Sequence, residues 1–419
     1  MDAVMPTEMA GGLSELREKA LILDAKDPLA AFKQRFFVGE PELLYADGNS
    51  LGRMPASTDL LIERVARQQW GTGLIRSSSE WVDLPFRAGD LLADGVLGAR
   101  PGEVLVTDST TVNLYKLARA AATLTPGRSR VLIEADNFPT DHYVLSGLAR
   151  ELGLELVEMP VDIDQGLALE TLADYFDGDV AFACISAVSY RSGARVNLAE
   201  ANAMAASAGS RIIWDLSHAG GSVRVDLSGS GCELAVGCTY KYLNAGPGAP
   251  AYLYVRSDLI PAMESPVRGW FSQVDQFEME SAYSPRTGIG RFAAGTPNII
   301  GTALVAQGAE LIGEAGIERL EAKGASLTGL FIEAVDALLS QRAFRVCTPR
   351  DGSRRGSHVT LSHPAARAVT RTLIDEAKVV PDFRTPDRLR FGLAPLYTSH
   401  ADVVEMVART ALLEAAGRI

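Results

Sequence analysis

Lys241 is the only lysine between Leu117 and Ala322, and it lies in TYKYLNAGPGAPAY (239–252), between two tyrosines and ahead of a glycine-rich turn. An isolated ε-amine in such a place can condense with an aldehyde or act as a base. Alone it could equally be a loop lysine in a chain where arginine replaces lysine elsewhere. Context comes from 26 residues upstream, where the strand-like run RIIWD ends in Asp215 and continues as LSHAGG. An acid at the C-terminal end of a strand points into the ligand crevice of an open α/β sheet. A carboxylate there suits the protonated pyridine nitrogen that lets pyridoxal 5′-phosphate (PLP) act as an electron sink. Without the lysine, Asp215 would read as a turn acid or helix cap; with it, the functional reading is favoured.

Other residues suited to the same cofactor follow earlier strands. VTDSTTVNLYKL (106–117) sets Ser109, Thr110 and Thr111 between a strand and a helix, where hydroxyls and backbone N–H groups hold phosphate. Any one of them would also serve as an N-cap. EADNFPTDHY (134–143) puts Phe138 and Asp141 at the next helix start. An aromatic ring there could stack on a pyridine for about 0.5–1.5 kcal/mol beyond burial, while Asp141 would also suit the helix dipole.

The elements that must position these groups alternate between about residues 103 and 255. VLVT, RVLIEA, LELVEM, VAFACIS, RIIWD, CELAVG and APAYLYV read as strands, and TTVNLYKLARAAATL, PTDHYVLSGLARELG and NLAEANAMAASAG as amphipathic helices between them. The pattern predicts an α/β fold with a mainly parallel seven-stranded sheet covered by helices. Residues 1–60 are expected to form an N-terminal segment against a smaller domain, 61–301 a large cofactor-binding domain, and 302–419 a small C-terminal α+β domain.

Composition narrows the partners. A formal charge of −12 offers no general field for nucleic acid or anionic lipid. Neither a leader-like start nor a bilayer-length apolar run is seen, so a cytoplasmic protein is expected. Cys184, Cys232, Cys238 and Cys347 show no CxxC pair and read as reduced, buried thiols. The five histidines lack a compact ligand spacing, and no metal site is assigned.

Taken in order, YADGNSLG (45–52), WGTGLI (70–75), EWVDLP (80–85), VTDSTTVNLYKL, NFPTD, AVSYRSG, WDLSHAGG, TYKYLNAGPGAPAY, GWFSQ (269–273) and AAGTPNI closely resemble the kynureninase family over nearly the whole chain. The resemblance implies a fold type I PLP enzyme that hydrolyses the Cβ–Cγ bond of L-kynurenine, or a ring-substituted kynurenine, to the corresponding anthranilate and L-alanine. It implies that Lys241 carries PLP as a Schiff base and later removes the α-proton, that Asp215 pairs with the pyridine nitrogen, and that Phe138 stacks on the ring. It further implies phosphate contacts from Thr110, Thr111 and Tyr240, and support of the ring by Ser186, Asp141 and His218. Arg390, in RLRFGLAPLYTS, matches the arginine that grips the substrate carboxylate, a task suited to a bidentate guanidinium. Trp270 and Thr296 match positions that complete the site of the other subunit, which implies a homodimer. Thr296 stands where animal-type members have Asn, which leans toward kynurenine over 3-hydroxykynurenine. Tyr240 is a candidate proton relay for the hydrated ketone. Two other readings stay open: another fold type I enzyme, such as a class V aminotransferase or a cysteine desulfurase, and a catalytically silent scaffold of the same fold. The desulfurase needs a nucleophilic cysteine on a loop after the lysine, and the only candidate, Cys347 in FRVCTPR, alternates like a strand.

Overall fold

The computed structural model of the protein describes residues 7–339 and 343–419. Its central sheet has seven strands: β2 (Val104–Val106), β3 (Arg130–Glu134), β4 (Glu155–Met159), β5 (Val180–Ser186), β6 (Ile212–Asp215), β7 (Leu234–Gly237) and β8 (Tyr252–Val255), following a short β1 (Leu44–Tyr45) outside it. The spatial order is β2-β8-β7-β6-β5-β3-β4, and only β8 runs against its neighbours. Every residue of β5 is buried, as expected of a strand with both sheet faces covered, which is why VAFACIS is continuously apolar rather than alternating.

The covering helices start and stop where their sequences say they should. After α1 (Thr7–Ala25), α2 (Thr58–Glu63) and α3 (Ser78–Leu92), α4 (Thr110–Ala121) is capped by Ser109, whose Oγ accepts from the Val112 N–H at 3.3 Å. α5 (Pro139–Leu152) has Pro at its first position and ends on Gly153 at φ +68°, the left-handed conformation that glycine adopts without a Cβ penalty. α6 (Leu169–Tyr175) and α7 (Leu198–Ser207) complete the alternation, with Asn197 capping α7. α8 (Ile299–Ala315) contributes Val305, Ala309 and Ile312 to the same core as the sheet, where they meet Ala88 and Leu92 of α3.

α9 (Ile317–Leu338) leaves that core at Leu320 and enters a second one at Leu327. There a four-stranded antiparallel sheet, β12 (Asp382–Arg384), β13 (Arg388–Gly392), β10 (His358–Ser362) and β9 (Arg345–Val346) in spatial order, packs with α10 (Ala366–Ala377) and α11 (His400–Ala415). The N-terminal residues join this core: Leu13, Leu16 and Ala20 of α1 are buried in it, and β1 pairs in parallel with β11 (Val379–Val380). No helix among the described residues is long and apolar enough to cross a membrane.

Candidate active site

The carboxyl ends of the parallel strands deliver the chemistry-bearing residues to one edge. Ser186 ends β5 and lies directly opposite Asp215, the last residue of β6. β7 ends at Gly237, and the following turn carries Thr239, Tyr240 and Lys241. The Lys241 amine is buried, with Nζ 3.3 Å from Nε2 and 3.5 Å from Nδ1 of His218, and 5.9 Å from the ring centroids of both Phe138 and Tyr240. Burial, followed by the charges of Lys241 and Arg390, holds the His218 imidazole well below its usual range, so it stands neutral beside the amine.

Asn137 sets two of the neighbouring groups. Its Oδ1 accepts from the Ser186 hydroxyl at 2.9 Å and from the Phe138 N–H at 2.6 Å. Phe138 keeps 38% of its surface exposed and meets Tyr190 edge-on at 5.4 Å. Asp215 accepts the Ser217 N–H on Oδ1 at 2.8 Å, leaving Oδ2 without a protein donor among the described residues. Asp141 is buried, and burial first, then the Asp215 and Glu134 charges, raise its carboxyl well above the usual range. Glu134, which was not singled out from the sequence, ends β3 in the same crevice. Burial pushes it up to about 8, although its Oε2 accepts the Ser186 N–H at 2.9 Å. Glu134 therefore holds a proton at neutral pH, and Asp141 is shifted in the same direction.

Thr110 and Thr111 open α4, and neither hydroxyl is spent on a protein partner among the described residues. The preceding turn is set by Asp108, at φ +48°, which pairs with the fully buried Lys116 of α4; Lys116 also donates to the Phe292 carbonyl at 2.7 Å. These are features a phosphorylated pyridine aldehyde needs: an amine for the aldehyde, an open carboxylate oxygen at a strand end, an aromatic face beside the amine and unused hydroxyls at a helix N-terminus. PLP fits the residues present.

Arg390 of β13 is 1% exposed. Its Nε donates to Asp382 Oδ1 at 2.8 Å, Nη2 donates to Asp382 Oδ2 and, at 3.2 Å, to Ser50 Oγ, and Nη1 donates to the Tyr190 carbonyl. The bidentate Nε–Nη2 edge is thus already committed to a protein carboxylate, and Nη1 carries the N–H that remains. Ser50 also donates to Asp382 at 2.8 Å, and the Gly52 N–H donates to the Tyr240 carbonyl at 2.8 Å, so the 47–52 strap joins this arginine to the lysine turn. Asp47 at its start is pushed up to about 7 by burial and by the Asp382 charge. YADGNSLG signalled this strap, but its partners were not legible from spacing.

Trp270 and Thr296 are exposed. Trp270 donates from Nε1 to the Gln276 carbonyl at 2.7 Å and stacks edge-on with Phe271 and Phe277. All four cysteines are buried and unpaired. Cys347, following β9, is fully enclosed, with Sγ 3.6 Å from the Arg345 carbonyl, which is no place for a nucleophile that must reach a substrate.

Comparison with known proteins adds the lineage. The kynureninase C-terminal domain family matches residues 320–410. A kynureninase of Pseudomonas fluorescens is 40% identical over 401 residues, covering 93% of this chain and 94% of that protein. A kynureninase of Deinococcus radiodurans is 41% identical over 394 residues, covering 92% and 93%. Among solved structures, an apo cysteine desulfurase from Thermococcus onnurineus NA1 superposes with a TM-score of 0.76 at 19% identity, covering 88% of this chain and 93% of that one. A C-DES variant with glycine covalently linked to its PLP cofactor gives 0.80 at 17%, covering 90% and 98%. At such identity these two structures speak for the fold alone, that of PLP-dependent fold type I.

Proposed function

The chain belongs to the kynureninase family, and from that premise we propose how its own residues carry the family's reaction. The enzyme is a PLP-dependent hydrolase that cleaves the Cβ–Cγ bond of an amino-acid substrate, L-kynurenine, to give anthranilate and L-alanine. When bound, PLP supplies an electron sink for charge developing at the substrate's α- and β-carbons.

Lys241 would hold the cofactor through Nζ, and the same atom is the base placed to take the substrate's α-proton. Neutral His218, beside that amine, accepts a hydrogen bond from it without adding positive charge. Asp215 Oδ2 would meet the pyridine nitrogen and Phe138 the ring, while Ser186 and Asp141, whose carboxyl burial raises, would support the ring's substituents. Thr110, Thr111 and the Tyr240 hydroxyl would hold the phosphate. Burial raises the Tyr240 phenol well above its usual range, so it keeps its proton at neutral pH and is the candidate relay that exchanges protons with the ketone oxygen and its hydrate. Arg390 takes the substrate carboxylate through the Nη1 side. Exposed Trp270 and Thr296 complete the site of a second subunit in a homodimer, and Thr296 favours kynurenine over its 3-hydroxy form. An acidic chain with unpaired buried thiols suits a reducing cytoplasm.

The observation that carries this reading is the buried Lys241 amine at the carboxyl edge of the sheet, in the same crevice as a strand-end carboxylate with one free oxygen. Asp215→Asn tests it. The variant is expected to keep cofactor, read as absorbance after dialysis, while kcat falls at least ~10²-fold, because stabilising the carbanion acts mainly in the transition state. Near-normal anthranilate release, followed by fluorescence on kynurenine beside 3-hydroxykynurenine, would remove Asp215 from the role.

A further inference from the structure

His358 opens β10 and is fully buried, yet neither of its ring nitrogens has a hydrogen-bond partner among the described residues. Buried polar groups in folded proteins nearly always find one. The structure also keeps room for this ring. Gly193, at φ +77°, packs against it, and a Cβ there would stand 2.8 Å from the His358 carbonyl oxygen and 3.2 Å from Nε2. The position is therefore built for an imidazole, but its nitrogens are left idle.

Its neighbours say what the nitrogens face. The His358 and His218 ring centroids are 5.7 Å apart, and His218 is the imidazole beside Lys241 Nζ. Thr360, two residues along β10, lies directly opposite Arg390 on β13, so His358 and Arg390 share one sheet face. Burial first, then the positive charges of Arg390, Lys241 and Arg384, push the ring down to about 3, against the opposing pull of the Asp382 carboxylate. A neutral imidazole has one donor and one acceptor to offer. His358 thus stands among the groups read above as taking the amino and carboxylate ends of the substrate.

We propose that His358 is a substrate-contacting residue whose imidazole hydrogen-bonds the amino acid held between Lys241 and Arg390. The inference rests on the reading of those two residues as the ends of the substrate site. The ring is sealed from solvent, so the contact requires the side chains between His218 and β10 to part as the ligand enters. A histidine serving the fold would spend its nitrogens within it, and one serving only as filler would not need them.

The holoenzyme and an unreactive probe separate these roles. 3-Benzoylpropionate keeps the carboxylate and aryl ketone of the substrate but has no amine to react, and its Kd is read by titration calorimetry. The proteins compared are wild type, His358→Phe, His358→Gln and Arg390→Ala, each also melted without probe. Phe fills the ring's space without nitrogens, so Tm is expected to stay level or rise while probe binding weakens roughly tenfold, the worth of one hydrogen bond. Gln should recover part of the affinity. Binding within twofold of wild type in His358→Phe overturns the proposal, and so does a fall of several degrees in its Tm, which would assign the nitrogens to the fold. Loss of binding in Arg390→Ala with retention in His358→Phe refutes His358 alone; retention in both refutes the site reading from which it starts.

Discussion

Three carboxyl side chains, Glu134, Asp141 and Asp215, share one crevice, and their proximity has a cost that depends on pH. Glu134 is raised to about 8, chiefly by burial, against a usual value of 4.5. An acid whose folded pKa lies above its unfolded one binds its proton more tightly when folded. It therefore takes stability away as pH climbs from about 4.5 through about 8. Between pH 6 and 8.5 the apoprotein should lose about 2 kcal/mol on this account, and Glu134→Gln should remove that slope. The measurement is urea unfolding of both proteins at the two pH values; parallel losses would show that Glu134 is not the group responsible. Lys241 and Asp215 were legible in the sequence because one is the sole lysine of a long stretch and the other ends a strand. Glu134 and His358 were not. Each occupies an ordinary place in its run, EADNFPTD or RGSHVTL, and what sets it apart is burial, joined in His358 by the absence of a partner, which only packing creates.

The strands of the large sheet could be read because apolar, β-branched runs of four to seven residues are what a doubly covered parallel sheet requires. Their ends were less legible: VLVT and CELAVG each shorten to the residues that pair, Val104–Val106 and Leu234–Gly237. The second sheet was not itemised from the sequence, since β9 and β12 have two and three residues and gain their identity only from remote partners. Also hidden was how closely α3 meets the sheet. A Cβ on Gly89 would lie 2.1 Å from the Val104 carbonyl oxygen. In an exposed helix Gly→Ala gains up to about 1 kcal/mol, but here the methyl would meet backbone that cannot swing aside, and overpacking costs typically ~1–3 kcal/mol. Gly89→Ala should therefore be net destabilising by about 1–2 kcal/mol, seen as a lower urea midpoint; a rise would mean that α3 slides freely on β2.

For the molecule as a whole, the strap 44–52 matters more than its length suggests. It lies along β11, holds Ser50 against Asp382 and Arg390, and passes Gly52 under the Lys241 turn. A Cβ on Gly52 would stand 2.3 Å from both the Lys241 carbonyl oxygen and Asn244 Oδ1. Gly52→Ala should thus push the strap from the turn, raising KM for kynurenine and speeding cofactor loss on dialysis, with far-UV circular dichroism preserved. Unchanged KM and cofactor retention would leave the strap a passive tether. The sequence displayed this strap as a motif but not its partners, because Ser50 and Asp382 are 332 residues apart. The same closure brings α1 onto α11 and β1 onto β11. During translation, Leu13, Leu16 and Leu44 emerge early and wait for residues 403–413, so at ~5–20 residues per second the delay is roughly 20–80 s. For that time the nascent chain shows an unburied apolar helix to chaperones and proteases, and its arginine clamp, on β13, is among the last parts to leave the ribosome.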